Sequence, residues 1–133
     1  MILLVELFGK TPKFTDSKDS VKKYKEFKKL LKDKKYPEAL ASGLSLLESV
    51  PHHHDALFMV GSIYYLKENY KTALSYLDRS LDIGEYDIDA LLLKAYSHQK
   101  LSENKPAISC CDKIKEIDPK NKSVSQLLEQ LET

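Results

Sequence analysis

Apolar residues recur along the chain at the spacing of amphipathic helices. Residues 57–64 carry one stripe, with Leu57, Val60 and Tyr64 at i, i+3 and i+7, and residues 73–81 carry another. Short polar stretches that contain Gly or Pro separate such stripes. A spacing near 3.6 residues is typical of helices with one buried face. The pattern therefore predicts an all-α chain of short helices.

A fixed period organises these helices. Ala39, Ala73 and Ala107 are 34 residues apart, and each opens an apolar run after a turn-like stretch. A period of this length is typical of helical repeats, whose units bury their apolar faces only by stacking on neighbours. Cutting at this period predicts an N-terminal segment and linker, three repeats and a C-terminal capping helix: 1–19, 20–53, 54–87, 88–121 and 122–133.

Other columns align in the same register, and the middle repeat carries the fullest set: Leu57, Val60, Gly61, Tyr64, Tyr70, Ala73 and Leu77. This set resembles the tetratricopeptide repeat (TPR) family, whose pattern is aromatic-x2-Leu-Gly-x2-Tyr, then Ala-x3-Phe, then Pro. The first repeat departs from the pattern, with Phe27 where a small residue belongs and Gly43 where a large one belongs. The resemblance implies a right-handed superhelix of antiparallel helix pairs, and a binding module rather than an enzyme.

Turn residues support the same division. Pro37 and Pro106 fall in the first turns of second helices, where the missing N–H is harmless. Gly84 is expected to end a helix by adopting a left-handed conformation.

Charge is uneven along the chain, although the net charge is only +1. Residues 1–36 carry eleven lysines and five acidic residues, whereas residues 37–133 carry ten basic and fifteen acidic residues. We expect the lysines of the first helix to surround it rather than to form a stripe, which favours a solvated helix. An acidic partner or nucleic acid is the alternative. No Arg accompanies these lysines, so bidentate phosphate recognition is not favoured.

Candidate chemistry is sparse. His52, His53, His54 and Asp55 are consecutive, but consecutive helical residues point about 100° apart and cannot converge on one ion. We interpret Asp55 as helping the helix N-terminus. Cys111 stands in an inward column, and a disulfide with the adjacent Cys110 would be strained, which favours a reducing, cytoplasmic location. No catalytic or cofactor motif is present, so we expect neither an enzyme nor a metal site.

The TPR resemblance places the first helix of each pair on a concave ligand-binding face. Carried over column by column, it predicts these peptide-binding residues: Tyr24, Lys28, Phe58, Met59, Ser62, Tyr65, Leu92, Leu93, Tyr96 and Gln99. Co-chaperone TPR domains grip acidic C-terminal tails with five polar or basic residues. The matching residues here are Tyr24, Lys28, Met59, Asp89 and Leu93. Because Lys28 alone is basic, this carboxylate clamp is missing, and an apolar peptide or amphipathic helix is the expected ligand.

The first eight residues are strongly apolar, and Gly9 and Pro12 set them apart. They are too short to span a membrane and lack the features of a signal peptide. We expect them to be buried in the groove of their own chain, in a neighbour's groove, against the first helix pair, or on a partner. The sequence thus favours an interaction scaffold that is able to self-associate through residues 1–8. A small TPR chaperone of a secreted or assembly substrate is the alternative, and nucleic-acid binding is disfavoured.

Overall fold

Residues 17–132 are described by a computed structural model, and their regular secondary structure is entirely α-helical. The helices are α1 (Lys18–Lys32), α2 (Tyr36–Ser49), α3 (His54–Leu66), α4 (Tyr70–Ile83), α5 (Ile88–Lys100), α6 (Asn104–Ile117) and α7 (Lys122–Glu132). The predicted all-α fold class is confirmed. Residues 1–8, for which we predicted burial, lie outside the described residues.

Each helix packs on the next one along the chain, and α3 also contacts α5. The structure repeats at the interval that the alanines predicted. Helices α3, α5 and α7 begin at His54, Ile88 and Lys122, which are 34 residues apart. Helices α2, α4 and α6 follow the same interval. We call α1, α3, α5 and α7 the A helices and α2, α4 and α6 the B helices. The contact between α3 and α5 brings successive A helices to one side of the array.

The turns inside the pairs are closed by residues with positive φ. Lys34, Glu68 and Ser102 have φ values of 58°, 61° and 61°. After α3, the Glu68 N–H donates to the Tyr65 carbonyl and the next N–H donates to the Tyr64 carbonyl. This Schellman pattern satisfies carbonyls at the helix end, and a residue with a side chain fills the position that glycine usually takes.

The prediction that Gly84 adopts a left-handed conformation is wrong, because its φ is −122°. Space rather than backbone freedom explains this glycine. A Cβ at Gly84 would lie 2.7 Å from Nε2 of His54, so the absence of a side chain lets the His54 ring pack over the α4–α5 turn.

The core consists of two clusters of buried side chains. The first cluster joins the first two helix pairs through residues that include Phe27, Leu46, Leu57, Val60 and Ile63. The second cluster joins the third pair to α7 through residues that include Leu91, Ala95, Cys111, Ile114, Val124 and Leu127. Because α7 contributes Val124 and Leu127, it covers apolar surface that the third pair would otherwise expose.

Candidate peptide-binding site

The candidate site is the face of the A helices that carries the predicted residues. None of the ten is fully buried: Lys28 is exposed, and the other nine are partly exposed. They occupy matching positions in successive A helices, as Tyr24, Phe58 and Leu92 do at 34-residue spacing. The helical register therefore gives them a common, solvent-accessible face.

Tyr24 links α1 to α3 at one end of this face. Its hydroxyl donates a hydrogen bond of 2.9 Å to the Asp55 carboxylate. Its ring centroid lies 4.5 Å from that of His53, and Nζ of Lys28 lies 4.4 Å from the Tyr24 centroid. Burial, followed by the hydrogen bond and charge of Asp55, raises the pKa of Tyr24 to about 12. Tyr24 is therefore a neutral phenol whose orientation is fixed by these contacts.

His53 caps the helix that Tyr24 contacts. Its Nδ1 accepts a hydrogen bond of 3.1 Å from the Ala56 N–H, and burial lowers the pKa of His53. From the sequence we expected Asp55 to stabilise the N-terminus of α3. Asp55 lies in the first turn, but the side chain that accepts the capping hydrogen bond is His53. The signal was available in the register, because Asp87 and Asn121, at 34-residue intervals, cap α5 and α7 in the same way.

The centre of the face is aromatic. Phe58 and Tyr65 are partly exposed and belong to neither core cluster. The Tyr65 ring meets the Tyr70 ring edge to face, with centroids 5.3 Å apart. Burial and the neighbouring phenols of Tyr70 and Tyr96 raise the pKa of Tyr65. The Ser62 hydroxyl donates to the Phe58 carbonyl, so that bond is internal to α3.

The other end of the face continues onto α7. Leu92 and Tyr96 are partly buried against the second core cluster. Nε2 of Gln99 donates a hydrogen bond of 2.9 Å to Oε1 of Gln130, which joins α5 to α7. Gln130 was not among the predicted residues, although it stands 34 positions after Tyr96. The face thus runs from an α1 phenol, across an aromatic centre, to a pair of amides.

No cluster of three or more His, Cys, Asp or Glu that could hold a metal occurs in the part of the chain that the structure describes. Cys110 and Cys111 are both free and buried, and burial raises the pKa of Cys111 to about 11. Such thiols are protonated at neutral pH and are poor nucleophiles. None of the described helices combines the length and apolarity that a membrane span requires.

The model of the ANAPC3 family, described as "Anaphase-promoting complex, cyclosome, subunit 3", matches residues 30–128. The chain belongs to this family. No curated protein matches this ANAPC3-family chain.

Solved structures similar to this ANAPC3-family chain confirm the TPR fold. The first TPR domain of Spaghetti (RPAP3), bound to the HSP90 peptide SRMEEVD, has a TM-score of 0.79 at 16% identity, covering 85% of this chain and 90% of that one. The Yersinia enterocolitica type III secretion chaperone SycD, with a YopD peptide, has a TM-score of 0.79 at 15% identity, covering 87% and 95%. A double mutant of MamA RS-1 has a TM-score of 0.80 at 21% identity, covering 85% and 64%.

Proposed function

We propose that this chain is a non-enzymatic interaction module that holds an apolar or amphipathic helical segment of a partner protein on the A-helix face. The observation that carries the proposal is the partial exposure of the Phe58 and Tyr65 rings. Both are large, central and partly exposed, and neither packs into a core cluster. Covering a large apolar side chain contributes about 1.5–3 kcal/mol, so these two rings are suited to be anchors for a ligand.

The surroundings of these rings favour a helix over an acidic tail. Leu92 and Leu93 add partly exposed aliphatic surface, and Asp89 carries an exposed carboxylate in the first turn of α5. An amphipathic helix presents apolar side chains at i, i+3, i+4 and i+7 along one stripe, which fits a row of anchors on successive A helices. The carboxylates of Asp55 and Asp89 would repel an anionic tail. Among the ten predicted residues, Lys28 is the one lysine that could offset this repulsion.

The relatives support a role in assembly. The family description names a subunit of a multiprotein complex, and the Spaghetti and SycD structures both contain bound peptides. We therefore place this chain among scaffolds that recognise a segment of another subunit. SycD is described as a chaperone, and this favours a second candidate, a TPR chaperone that holds an assembly substrate.

A peptide selection tests the scaffold proposal. Amphipathic helical peptides selected on the wild type should lose at least about tenfold in affinity, measured by calorimetry, for a Phe58→Ala, Tyr65→Ala double variant. The matched control is Ile83→Ala, Tyr86→Ala, which removes apolar surface that is 45% and 67% exposed and does not belong to an A helix. The control should bind like the wild type. Equal binding by the Phe58, Tyr65 variant, or equal loss in the control, would overturn the proposal. A requirement for an unfolded partner would favour the chaperone candidate.

A further inference from the structure

A row of lysines follows one face of α1. Lys18, Lys22, Lys25 and Lys29 are spaced i, i+4, i+7 and i+11, so they lie above one another on the side opposite the fully buried Phe27. We call these four residues the lysine face. They line two adjoining surface depressions of about 300 and 520 Å³. Lysines also stand elsewhere around α1, but the interpretation that they form no stripe is wrong.

Two of the four positions of the lysine face are buried in every later A helix. Lys22 corresponds in register to three fully buried residues, Ala56, Ala90 and Val124. Lys29 corresponds in register to three residues that are buried too: Ile63, Ser97 and Leu131. In the later repeats, a preceding B helix packs beside each A helix. The same side of α1 therefore carries ammonium groups that oppose the apolar stacking of one more helix pair.

These charges are largely uncompensated. In the structure of residues 17–132, none of the four lysines forms an ion pair, whereas neighbouring Lys23 lies 3.5 Å from Asp19. Glu26 and Asp33 are the acidic residues that line the wider depression, beside four lysines: Lys22, Lys25, Lys29 and Lys35. Val21, which is 40% exposed, adds an apolar contact at the smaller depression. The face is thus a positive row with one apolar edge.

We infer that the lysine face binds an acidic helix of a partner protein, with carboxylates repeated at i, i+4 and i+7. The row from Lys18 to Lys29 is straight and about 16 Å long, which matches three turns of a facing helix. Point-charge ammonium groups pair well with carboxylates, and α1 contains no Arg for bidentate phosphate binding.

Two other occupants fit less well. Single-strand nucleic-acid sites interleave aromatic rings with basic groups, whereas the aromatic residues of α1, Tyr24 and Phe27, engage Asp55 and the core. The chain's own residues 1–16 contain two lysines and two acidic residues, so their charge does not complement the face. An acidic helix satisfies both the row of charges and its apolar edge.

The test uses the full chain and a synthetic helical peptide about 20 residues long, with glutamates at i, i+4, i+7 and i+11. A second peptide of equal composition spreads its glutamates around the helix. Fluorescence anisotropy should show about tenfold tighter binding of the first peptide, weakening as salt rises from about 0.05 to 0.3 M. A Lys22→Gln, Lys29→Gln variant should lose about tenfold in affinity.

The matched control is Lys71→Gln, Lys100→Gln, which removes two exposed lysines from other helices and should leave binding unchanged. Phe58→Ala should also leave binding unchanged, because Phe58 lies on α3 and the lysine face is formed by α1 alone. Equal affinity for the two peptides would overturn the inference. So would tighter binding of polyuridine RNA or of phosphatidylserine vesicles, or binding that appears only after residues 1–16 are deleted.

Discussion

The ring of Phe27 fills the space in which a side chain at position 43 would lie. A Cβ on Gly43 would come within 2.7 Å of Phe27 Cζ and 2.8 Å of Val60 Cγ2. The next repeat reverses the sizes, with Gly61 in the column of Phe27 and Leu77 in the column of Gly43. A Cβ on Gly61 would lie 3.2 Å from Leu77 Cγ. The unusual first repeat thus conserves the volume at this helix contact by exchanging which helix supplies the large side chain.

Gly43→Ala is therefore expected to destabilise the fold by about 1–3 kcal/mol through overpacking against Phe27 and Val60. Urea unfolding followed by circular dichroism measures this. Gly61→Ala is the matched control and should cost less, because the Leu77 side chain is able to shift by the few tenths of an ångström required. The double variant Phe27→Ala, Gly43→Leu should lose less free energy of unfolding than the two single variants lose in sum. The expected difference is about 0.5–3 kcal/mol. Strict additivity would contradict the exchange.

Glu68 has φ of 61°, a conformation that costs a residue with a Cβ about 1–2 kcal/mol. Glu68→Gly and Glu68→Ala both remove the charge of Glu68, but only Glu68→Ala keeps a Cβ. Glu68→Gly should therefore be about 1 kcal/mol more stable than Glu68→Ala. At Ala41, an exposed position inside α2, the preference should reverse, and Ala41→Gly should lose about 0.5–1 kcal/mol. Thermal unfolding of the variants is the measurement. A more stable Ala than Gly variant at position 68 would refute the argument.

We expect His53 to make the stability of α3 sensitive to pH. Its Nδ1 accepts a hydrogen bond, so the cap requires the neutral ring, and burial lowers the pKa of His53 below its ordinary 6.5. The unfolded chain therefore takes up the proton first. The contribution of the cap is complete above about pH 6.5 and is lost as pH falls through the lower folded pKa.

His53→Asn keeps a capping side chain of the kind that Asn121 provides for α7, without a titrating ring. The free energy of unfolding of the wild type should fall more steeply than that of the variant between about pH 7 and pH 5. The comparison uses slopes rather than absolute stabilities, because the substitution also removes the contact with the Tyr24 ring. Parallel curves would show that His53 does not carry the dependence.

The A-helix face should not grip the peptide SRMEEVD that the Spaghetti TPR domain binds. Its five clamp positions offer one basic residue, Lys28, and one exposed carboxylate, Asp89. Calorimetry should therefore show no binding that depends on Lys28, and Lys28→Ala should match the wild type. Salt-sensitive, low-micromolar binding that Lys28→Ala abolishes would overturn this prediction.

The apolar residues 1–8 are predicted to be buried on TPR surface, in the same chain or in a neighbour. Deleting residues 1–9 should change the apparent mass in sedimentation or expose surface that binds an apolar dye, because groove and filler are distinct patches and form a heterologous contact. A deletion of residues 10–16, which keeps the octamer, is the control. If mass, melting temperature and dye binding all stay unchanged without the octamer, the prediction fails.

The exposure of the predicted site residues followed from the sequence, but their contacts did not. A helical register assigns each residue to a face, which explains why all ten predicted residues kept some exposure. Register does not say which partner a side chain meets. The hydrogen bond between Tyr24 and Asp55 and the amide pair of Gln99 and Gln130 each join residues 31 apart, on different helices.

The period, the helices and the alanine column follow from the sequence, because the two helices of every repeat pack together through the same positions. Ala39, Ala73 and Ala107 are all fully buried for this reason. How local departures from the repeat are compensated depends on the tertiary structure. Distances between helices explain why Phe27 fills the space beside Gly43 and why Gly84 lacks a side chain. They also explain why His53, and not Asp55, caps α3. Such distances follow from packing across the chain and not from the residue's own position in the period.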